Sequence, residues 1–249
     1  MKDILAASDR DVIERVARSQ SLLAFDFDGT LAPIVADREA ARMRGRTRAL
    51  LLEVAQLYPC VVISGRSRGD VLPRLDGAVM VEIVGNHGIE PSPDQESVAA
   101  INAALRRALA LELYGVAGVE MEDKRFSLAI HYRGSRDPIE ARRVIHEAAA
   151  RIAIPTRLID GKFVVNVVAA GAPTKGDAVL RLRRKLGVEI GLYIGDDDTD
   201  EDVFKIEADR DQLVSIRVGM SSTSAARYFV RTQRYVDALL ARLLRHRRK

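Results

Sequence analysis

The stretch Leu22-Leu23-Ala24-Phe25-Asp26-Phe27-Asp28-Gly29-Thr30-Leu31 decides the fold of this 249-residue chain. Its apolar residues predict a buried strand over residues 21–27, and Gly29 predicts a turn directly after it. Because side chains two residues apart in a strand point the same way, Asp26 and Asp28 are expected to share a small space. Two carboxylates held that close repel each other unless a cation or a shared proton relieves them.

A magnesium ion is the simplest partner for this aspartate pair. Mg²⁺ takes hard oxygen ligands, needs few carboxylates from the protein, and works beside phosphate groups. The alternative is a strand that ends in an ordinary polar turn, in which Asp28-Gly29 provides only turn chemistry. The motifs found later in the chain favour the metal site.

Composition indicates a globular protein with a substantial core. Hydrophobic residues make up 47% of the sequence and charged residues 30%, and the length suits one large domain or two modest ones. Cys60 is the only cysteine, which excludes an intramolecular disulfide and a cysteine-based zinc cluster. The sequence starts without the pattern of a secretory signal and has no apolar run of membrane-spanning length, so we expect a cytoplasmic protein.

The net charge of +4 depends on a basic tail. Its four cations are Arg245, Arg247, Arg248 and Lys249. A terminal basic run can bind nucleic acid, but these cations have no aromatic residues between them and the sequence contains no recognisable nucleic-acid module. We therefore expect a solvated helix end, with neither a nucleic-acid nor a membrane partner.

The pattern of strands and helices changes in the middle of the chain. On either side of it, short apolar strands alternate with helices, which indicates a parallel sheet covered on both faces. The strands predicted there are at 21–27, 61–63, 79–84, 191–194 and 213–218, and the helices at 46–57, after 66, at 175–186, from 199 and at 233–244. The middle predicts helices at 96–114 and 138–152 and strands at 119–122, 126–132, 157–160 and 163–168, which suggests an antiparallel sheet with helices on one face. We therefore predict an α/β core, residues 1–95 and 171–249, with an inserted α+β domain, residues 96–170.

Two weaker motifs lie at a strand end and at a helix start. Val61-Val62-Ile63-Ser64-Gly65-Arg66 puts a hydroxyl at the carboxyl end of a buried strand, where open α/β sheets bind ligands such as phosphate. Pro173-Thr174-Lys175-Gly176-Asp177 puts a cation at a helix amino end, where positive charge is slightly unfavourable. Each motif alone is routine, but a lysine there can neutralise a phosphate or hold an aspartate ionised.

The densest acidic segment, residues 196–202, follows the strand predicted at 191–194, and we call it the acidic loop. In Tyr193-Ile194-Gly195-Asp196-Asp197-Asp198-Thr199-Asp200-Glu201-Asp202, six of the seven residues from 196 to 202 are carboxylates. Acidic residues are favourable in the first turn of a helix, which accounts for Glu201 and Asp202. Asp196 and Asp197 at a strand end have no such explanation, so a cation is expected beside them.

Taken in order, the aspartate pair, the serine, the lysine and the acidic loop resemble the haloacid dehalogenase superfamily of phosphohydrolases over the whole core. The acidic loop together with Ser64-Gly65-Arg66 and Gly85-Asn86-His87-Gly88 is similar to trehalose-6-phosphate phosphatases. In that family a cap with an antiparallel sheet follows the serine motif and precedes the lysine, and Glu122-Asp123-Lys124, His131-Tyr132-Arg133 and Gly161-Lys162 match its cap motifs. The resemblance implies an α/β, haloacid-dehalogenase-like Rossmannoid core with a central parallel sheet and an inserted α+β cap of the C2B type.

The resemblance implies Mg²⁺-dependent hydrolysis of a sugar phosphate, first of all trehalose 6-phosphate, through an aspartyl phosphate. The implied catalytic residues are the nucleophile Asp26, the proton carrier Asp28, and Lys175. The implied metal site comprises Asp26, Asp28 through its backbone carbonyl, Asp196, Asp197 and Asp200. The implied substrate-binding residues are Thr30, Ser64, Gly65, Arg66 and His87 in the core, and Lys124, His131, Arg133, Lys162 and Asn166 in the cap. A cap that closes about hinges near 94–98 and 169–173 would exclude water, and a monomer is expected.

One departure from the family lies in the cap strand Val164-Val165-Asn166-Val167-Val168-Ala169. The family usually has a glutamate, which contacts sugar hydroxyls, and an arginine where this chain has Asn166 and Val168. Asparagine still forms hydrogen bonds but loses the charge-assisted one. The sugar therefore stays open between trehalose and sucrose-, glucosylglycerol- or mannosylglycerate-type phosphates.

Two functions of other classes also share parts of the pattern. A signalling receiver domain combines an acidic pair, a phospho-accepting aspartate, a strand-end hydroxyl and a lysine under Mg²⁺, but it would lack the cap and the late acidic loop. Acetyl-phosphate labelling without turnover would favour it. A catalytically silent module that binds nucleic acid through residues 245–249 is the second, and it predicts salt-dependent binding that is lost with the tail.

Overall fold

The computed structural model describes residues 1–161, 163–206 and 212–248. The chain forms two compact units. Unit 1 comprises Met1–Glu90 and Thr174–Lys249, and unit 2 comprises Pro91–Pro173. One continuous segment is therefore inserted into an α/β unit made from both ends of the chain.

Strands and helices alternate through most of unit 1, as the sequence pattern predicts, whereas the strands of unit 2 come in consecutive pairs. In order they are β1 (Lys2–Asp3), α1 (Arg10–Arg18), β2 (Ser21–Phe25), α2 (Gly45–Leu57), β3 (Cys60–Ile63), α3 (Arg68–Arg74), β4 (Glu82–Val84), α4 (Gln95–Glu112), β5 (Glu120–Asp123), β6 (Leu128–His131), α5 (Pro138–Arg151), β7 (Thr156–Gly161), β8 (Val164–Ala169), α6 (Lys175–Leu186), β9 (Ile190–Gly195), α7 (Glu201–Phe204), β10 (Leu213–Val218), β11 (Tyr228–Val230) and α8 (Arg234–Arg247).

Unit 1 is built on a seven-stranded sheet in which every pairing is parallel. The strand order is β1-β11-β10-β9-β2-β3-β4. Strand β2 lies between β9 and β3, and Phe25 is in register with both Ile194 and Val62. The residues that follow these three strands therefore meet at one edge of the sheet, which is the usual ligand-binding edge of such folds.

Helices cover both faces of this sheet, as its apolar strands require. Leu23 and Phe25 of β2 point into a cluster formed with α1, α2 and α8. Leu22 and Ala24 point to the other side, into a cluster formed with α6 and α7. The alternation along β2 thus fixes the central strand from both sides and places the residues after it.

Unit 2 contains a four-stranded antiparallel sheet in the order β5-β6-β8-β7. One face buries Leu128 and Val167 and meets the helices, since Asn102 of α4 donates to Asp123 at 3.0 Å and Arg142 of α5 contacts Asp160 at 2.6 Å. The register places a different set on the opposite face, which we call the polar face: Glu122, Ala129, His131, Arg157, Ile159, Asn166 and Val168.

The chain leaves unit 1 close to the place where it returns. Gly88 has a φ of +117°, and a Cβ atom there would lie 2.1 Å from the Thr174 carbonyl oxygen. Only glycine fits this position, on grounds of both conformation and space. Residues just before and just after the insertion are therefore in backbone contact within unit 1.

The parallel sheet and the inserted α+β unit confirm the fold class that the sequence predicts. The helix expected from residue 199 is instead a 3₁₀ turn at Asp198–Asp200 followed by the short α7. The strand expected at 79–84 forms only at Glu82–Val84, and β2 ends at Phe25 rather than at 27. Helix α1 and strands β1 and β11 lie outside the predicted set, and the two strands are too short for a periodic pattern.

Two cations of the basic tail have partners within unit 1. Arg247 Nη1 donates to the Ala17 carbonyl at 3.1 Å, and Arg248 Nη2 contacts Glu53 at 2.7 Å. Lys249 lies outside the described residues. Among the described helices, none has both the length and the apolar character needed to cross a membrane.

Candidate active site

Three predicted site residues stand at the ends of adjacent strands. Asp26 follows β2 and donates its backbone N–H to the Ile194 carbonyl at 2.8 Å, Ser64 follows β3, and Asp196 follows β9. Asp26 and Ser64 are buried, and Asp196 is partly buried. Residues that are far apart in the sequence thus reach one edge of the sheet.

Lys175 links the nucleophile candidate to the acidic loop. Its Nζ donates to Asp26 Oδ1 at 3.0 Å and to Asp200 Oδ1 at 2.7 Å, and all three side chains are buried. The start of α6 fixes its position, because Thr174 and Asp177 cap each other through hydrogen bonds of 3.1 and 2.9 Å. The cation that is unfavourable for the helix is therefore held against two carboxylates.

Asp200 accepts four hydrogen bonds. Lys175 and the Tyr193 hydroxyl, at 2.6 Å, donate to Oδ1. The backbone N–H groups of Asp196 and Asp197 donate to Oδ2 at 2.7 and 3.0 Å. Because both of its oxygens are engaged, Asp200 holds the loop and the lysine in place.

Asp197 shapes the turn that follows β9. Its Oδ1 accepts from the Thr199 backbone N–H at 2.9 Å and from the Thr199 hydroxyl at 2.6 Å. These bonds explain the 3₁₀ turn that replaces the predicted start of a helix. Arg217 closes the loop from outside, since its Nη1 donates to the Asp197 carbonyl at 3.1 Å and to Glu201 at 3.0 Å.

The site carries more negative charge than its lysine neutralises. Burial raises the pKa of Asp26 well above its ordinary value, and Lys175 offsets this only in part. Burial, followed by the charges of Asp200 and Asp197, raises the pKa of Asp196 to about 7. Burial alone would lower the pKa of Lys175, but Asp200 and Asp26 outweigh it, so the pKa rises and the lysine stays charged.

The donor set fits a hard divalent cation. Asp26, Asp196 and Asp200 each offer a carboxylate oxygen, and these atoms lie within 4.8 Å of one another. Since Asp200 already accepts four hydrogen bonds, Asp26 and Asp196 are the better ligands. Gly29 leaves room for this arrangement: with its φ of +77°, a Cβ atom there would lie 1.9 Å from Asp196 Oδ2.

Asp28 has a different partner from Asp26. Its carboxylate receives two hydrogen bonds from the buried Arg66 guanidinium, Nε to Oδ2 at 2.6 Å and Nη2 to Oδ1 at 2.8 Å. Because β2 ends at Phe25, the strand alternation that would turn both aspartates the same way does not extend to Asp28.

The remaining predicted core residues surround this edge. Thr30 is fully buried, and among the described residues its hydroxyl has no hydrogen-bond partner. His87 has a φ of +59° and donates its backbone N–H to the Ser64 carbonyl at 2.9 Å. Gly65 makes space for the His87 ring, since a Cβ atom at 65 would lie 2.5 Å from it.

The predicted cap residues lie in unit 2. On the polar face, His131 Nε2 contacts Glu122 at 2.9 Å, and the Asn166 amide donates to the Ile159 carbonyl at 3.5 Å. Lys124 lies 3.8 Å from Glu122, and the Arg133 guanidinium lies 5.3 Å from the Phe163 ring centre. Lys162 lies outside the described residues.

The structure therefore brings Asp26, Lys175, Asp196 and Asp200 together in unit 1, and it gives Asp28 a separate contact with Arg66. Two residues of the site are absent from the sequence-based prediction. Tyr193 donates to Asp200, and Arg217 holds the acidic loop. A hydroxyl in the apolar strand β9 is a signal of a buried polar partner, whereas nothing local in the sequence marks Arg217.

The residues of this site lie within a stretch of the chain that matches a known protein family. The model of the family described as Trehalose-phosphatase matches residues 24–234. The chain belongs to the trehalose-phosphatase family. A rice (Oryza sativa subsp. japonica) protein named probable trehalose-phosphate phosphatase 4 is 30% identical over 268 aligned positions, which cover 98% of this chain and 71% of that protein.

Other members of the trehalose-phosphatase family agree in sequence and fold. The trehalose-phosphate phosphatase of Mycolicibacterium paratuberculosis is 36% identical over 196 residues, which cover 72% of this chain and 49% of that protein. The chain thus spans about half the length of this relative. The C-terminal domain of the Candida albicans trehalose-6-phosphate phosphatase superposes with a TM-score of 0.73 at 23% identity, covering 95% of this chain and 96% of that one. These matches confirm the haloacid-dehalogenase-like fold class.

Proposed function

We propose that this member of the trehalose-phosphatase family is a Mg²⁺-dependent phosphatase that hydrolyses trehalose 6-phosphate to trehalose and phosphate through an aspartyl phosphate. The observation that carries the proposal is the buried contact of Asp26 with Lys175, beside the excess negative charge of the acidic loop. A carboxylate held by a lysine next to a site for a divalent cation is suited to attack on a phosphate monoester.

In the first half of the reaction, an Asp26 oxygen attacks phosphorus and forms the new P–O bond. The bond from phosphorus to the sugar oxygen breaks, and its electron pair stays on that oxygen. Asp28 supplies the proton that the oxygen takes up, because a sugar alkoxide is a poor leaving group. Trehalose leaves, and Asp28 becomes a carboxylate.

In the second half, water replaces the sugar. Its oxygen attacks phosphorus while the Asp28 carboxylate accepts one of its protons. The bond between phosphorus and Asp26 breaks, which releases phosphate and restores both aspartates. One ester bond and one water molecule are consumed, and no other reactant is needed.

The charge of the phosphate requires cationic and hydrogen-bonding partners. Asp26 and Asp196, with the Asp28 carbonyl, would hold Mg²⁺, and Asp197 and Asp200 would orient these ligands. When bound, the metal ion screens the repulsion between carboxylate and phosphate. The Ser64 hydroxyl, the buried Thr30 hydroxyl and Lys175 would donate hydrogen bonds to the other phosphate oxygens.

Unit 2 is proposed to choose the sugar. Lys124, His131, Arg133, Lys162 and Asn166 would contact sugar hydroxyls, and Gly65 and His87 would border the phosphate end of the substrate. Asn166 favours a second candidate, the phosphatase of another sugar phosphate such as sucrose, glucosylglycerol or mannosylglycerate phosphate. Its neutral amide cannot form the charge-assisted bond of a carboxylate to a sugar hydroxyl.

Phosphate release across a panel of sugar phosphates tests both candidates. Wild-type protein is assayed with Mg²⁺ and with EDTA, and Asp26→Asn is assayed beside it. We expect trehalose 6-phosphate to be preferred, EDTA to abolish turnover, and Asp26→Asn to lower kcat by at least about 10³-fold. Retained activity in Asp26→Asn would contradict the nucleophile, and a preference for another sugar phosphate would select the second candidate.

A further inference from the structure

Arg66 is a buried cation near the site with several hydrogen-bond partners. Its side chain is 1% exposed. Four of its five N–H groups have partners: Nε and Nη2 donate to Asp28, Nη2 also donates to the Arg38 carbonyl at 2.6 Å, and Nη1 donates to Asp70 at 2.9 Å. Because a guanidinium has five N–H groups, little capacity is left for a ligand.

We infer that Arg66 is a positioning residue for Asp28 rather than a substrate contact. The inference rests on the proposed function, since it concerns the residue that moves the proton there. The two parallel hydrogen bonds of a guanidinium fix both the position and the plane of a carboxylate, which a single bond from a lysine does not. Arg66 thereby aims Asp28 at the oxygen that leaves and at the water that enters.

A second layer of charges holds Arg66 itself. Asp70 of α3 contacts both Arg66 and Arg74, and Arg74 is buried as well. Arg74 Nη2 in turn contacts Glu39 at 2.7 Å. Glu39 and the Arg38 carbonyl belong to one 3₁₀ turn, Arg38–Ala40. Two buried arginines thus tie this turn to α3 and leave the Arg66 guanidinium a single orientation.

The leaving group of the substrate separates a positioning role from a structural one. A sugar oxygen must be protonated as its bond to phosphorus breaks, whereas nitrophenol departs as a stable anion without a proton. Loss of Asp28 alignment should therefore slow attack on a sugar phosphate but spare the transfer of phosphate from p-nitrophenyl phosphate to Asp26. Water attack on the aspartyl phosphate still needs Asp28 and becomes slow with either substrate.

The experiment compares Arg66→Met with Arg183→Met, which changes another buried arginine of unit 1 whose described hydrogen bonds go to Glu189 and Gln212. With Mg²⁺, Arg66→Met should lower kcat for trehalose 6-phosphate by about 10²-fold. Rapid mixing with p-nitrophenyl phosphate should still give a fast burst of about one nitrophenol per enzyme, followed by slow turnover. Arg183→Met, as the structural control, should slow both substrates to the same extent if it slows either, and should show no burst.

A double variant tests whether Arg66 acts through Asp28. If it does, adding Arg66→Met to Asp28→Asn lowers kcat no further. If the two residues act independently, the fold-losses of kcat in the single variants multiply in the double variant. Arg66→Lys keeps the positive charge but loses the two parallel hydrogen bonds of the guanidinium. It should therefore show the same burst with a smaller loss of kcat. It carries the test if Arg66→Met does not fold, and the burst counts active enzyme directly.

Three results would overturn the inference. The first is that Arg66→Met slows both substrates equally without a burst. The second is that the losses of kcat multiply in the double variant. The third is that Arg66→Met raises KM for trehalose 6-phosphate at unchanged kcat, which would make Arg66 a substrate contact. Wild-type protein that hydrolyses neither substrate would instead overturn the proposed function. The two failures are therefore distinguishable.

Discussion

The acidic loop of unit 1 and the polar face of unit 2 hold their side chains in opposite ways. In the loop, Asp200 accepts four hydrogen bonds from buried or backbone donors. On the polar face, the described contact of the Asn166 amide is a single donation at 3.5 Å, and the contact of His131 with Glu122 is exposed. These bonds hold the loop rigid, whereas the described contacts of Asn166 and His131 on the polar face are longer or more exposed.

Breaking the loop should have the largest effect. In Asp200→Asn, the amide N–H₂ replaces an acceptor and faces donors, so two hydrogen bonds become repulsive and Lys175 loses a charge partner. We expect kcat to fall by about 10³-fold and the Tm to fall with it. Asp198→Asn is the control, because it makes the same change of charge in the same loop at a fully exposed side chain. Equal effects of the two variants in phosphate release and thermal denaturation would contradict the rigid loop.

Gly29→Ala tests the space that the loop requires. Gly29 and Gly115 share a φ of +77°, but only at Gly29 would a Cβ atom meet another group, the Asp196 carboxylate. Both alanine variants carry the same backbone strain of about 1 kcal/mol. Displacement of Asp196 in Gly29→Ala should additionally lower kcat/KM by about 10²-fold, while Gly115→Ala keeps its activity. Similar activity of the two variants would show that Asp196 need not be held in place.

Stability should respond to Mg²⁺ in a way that depends on pH. The pKa of Asp196 is raised to about 7 by burial and its acidic neighbours, against about 3.9 when unfolded. The stability linked to its protonated form is present below about pH 4 and is lost as pH rises through 7. Mg²⁺ binds the deprotonated form, so the rise in Tm on adding Mg²⁺ should be several degrees at pH 8 and small at pH 5.

Thermal denaturation in EDTA and in Mg²⁺ at the two pH values measures this difference. Asp196→Asn is the control, since it removes both the titrating group and a metal ligand and should abolish most of the Mg²⁺ effect. An equal rise in Tm at pH 5 and pH 8 would contradict the assignment of Asp196 to the metal site.

The smallest effect is expected on the polar face. Asn166→Glu supplies a carboxylate for a charge-assisted bond to a sugar hydroxyl, so kcat/KM for trehalose 6-phosphate should rise about fivefold. The kcat for p-nitrophenyl phosphate, which has no sugar, should not change. Asn166→Ala is the matched control and should lower kcat/KM for trehalose 6-phosphate. A loss of activity on both substrates in Asn166→Glu would mean that the polar face is structurally constrained after all.

The sequence predicts the meeting of Asp26 and Asp196 because both follow apolar strands, and the carboxyl ends of parallel strands lie at one edge. It predicts the lysine from an unfavourable helix position. The sequence does not predict the pairing of Asp28 with Arg66, because side-chain directions alternate regularly only inside a strand and β2 ends at Phe25. The sequence does not predict Arg217 either, since its contact depends on how β10 lies beside β9.

The backbone contact between Gly88 and Thr174 has a consequence for how such a protein diversifies. Because the two ends of the insertion lie close together in unit 1, the inserted segment does not have to bridge a fixed distance. A longer or shorter insertion at this place changes the free energy of folding only slightly. The seven-stranded frame can therefore accept different insertions without a shift in the register of its central strands. Under the proposed function, the residues that choose the sugar could then change independently of those that carry out the reaction.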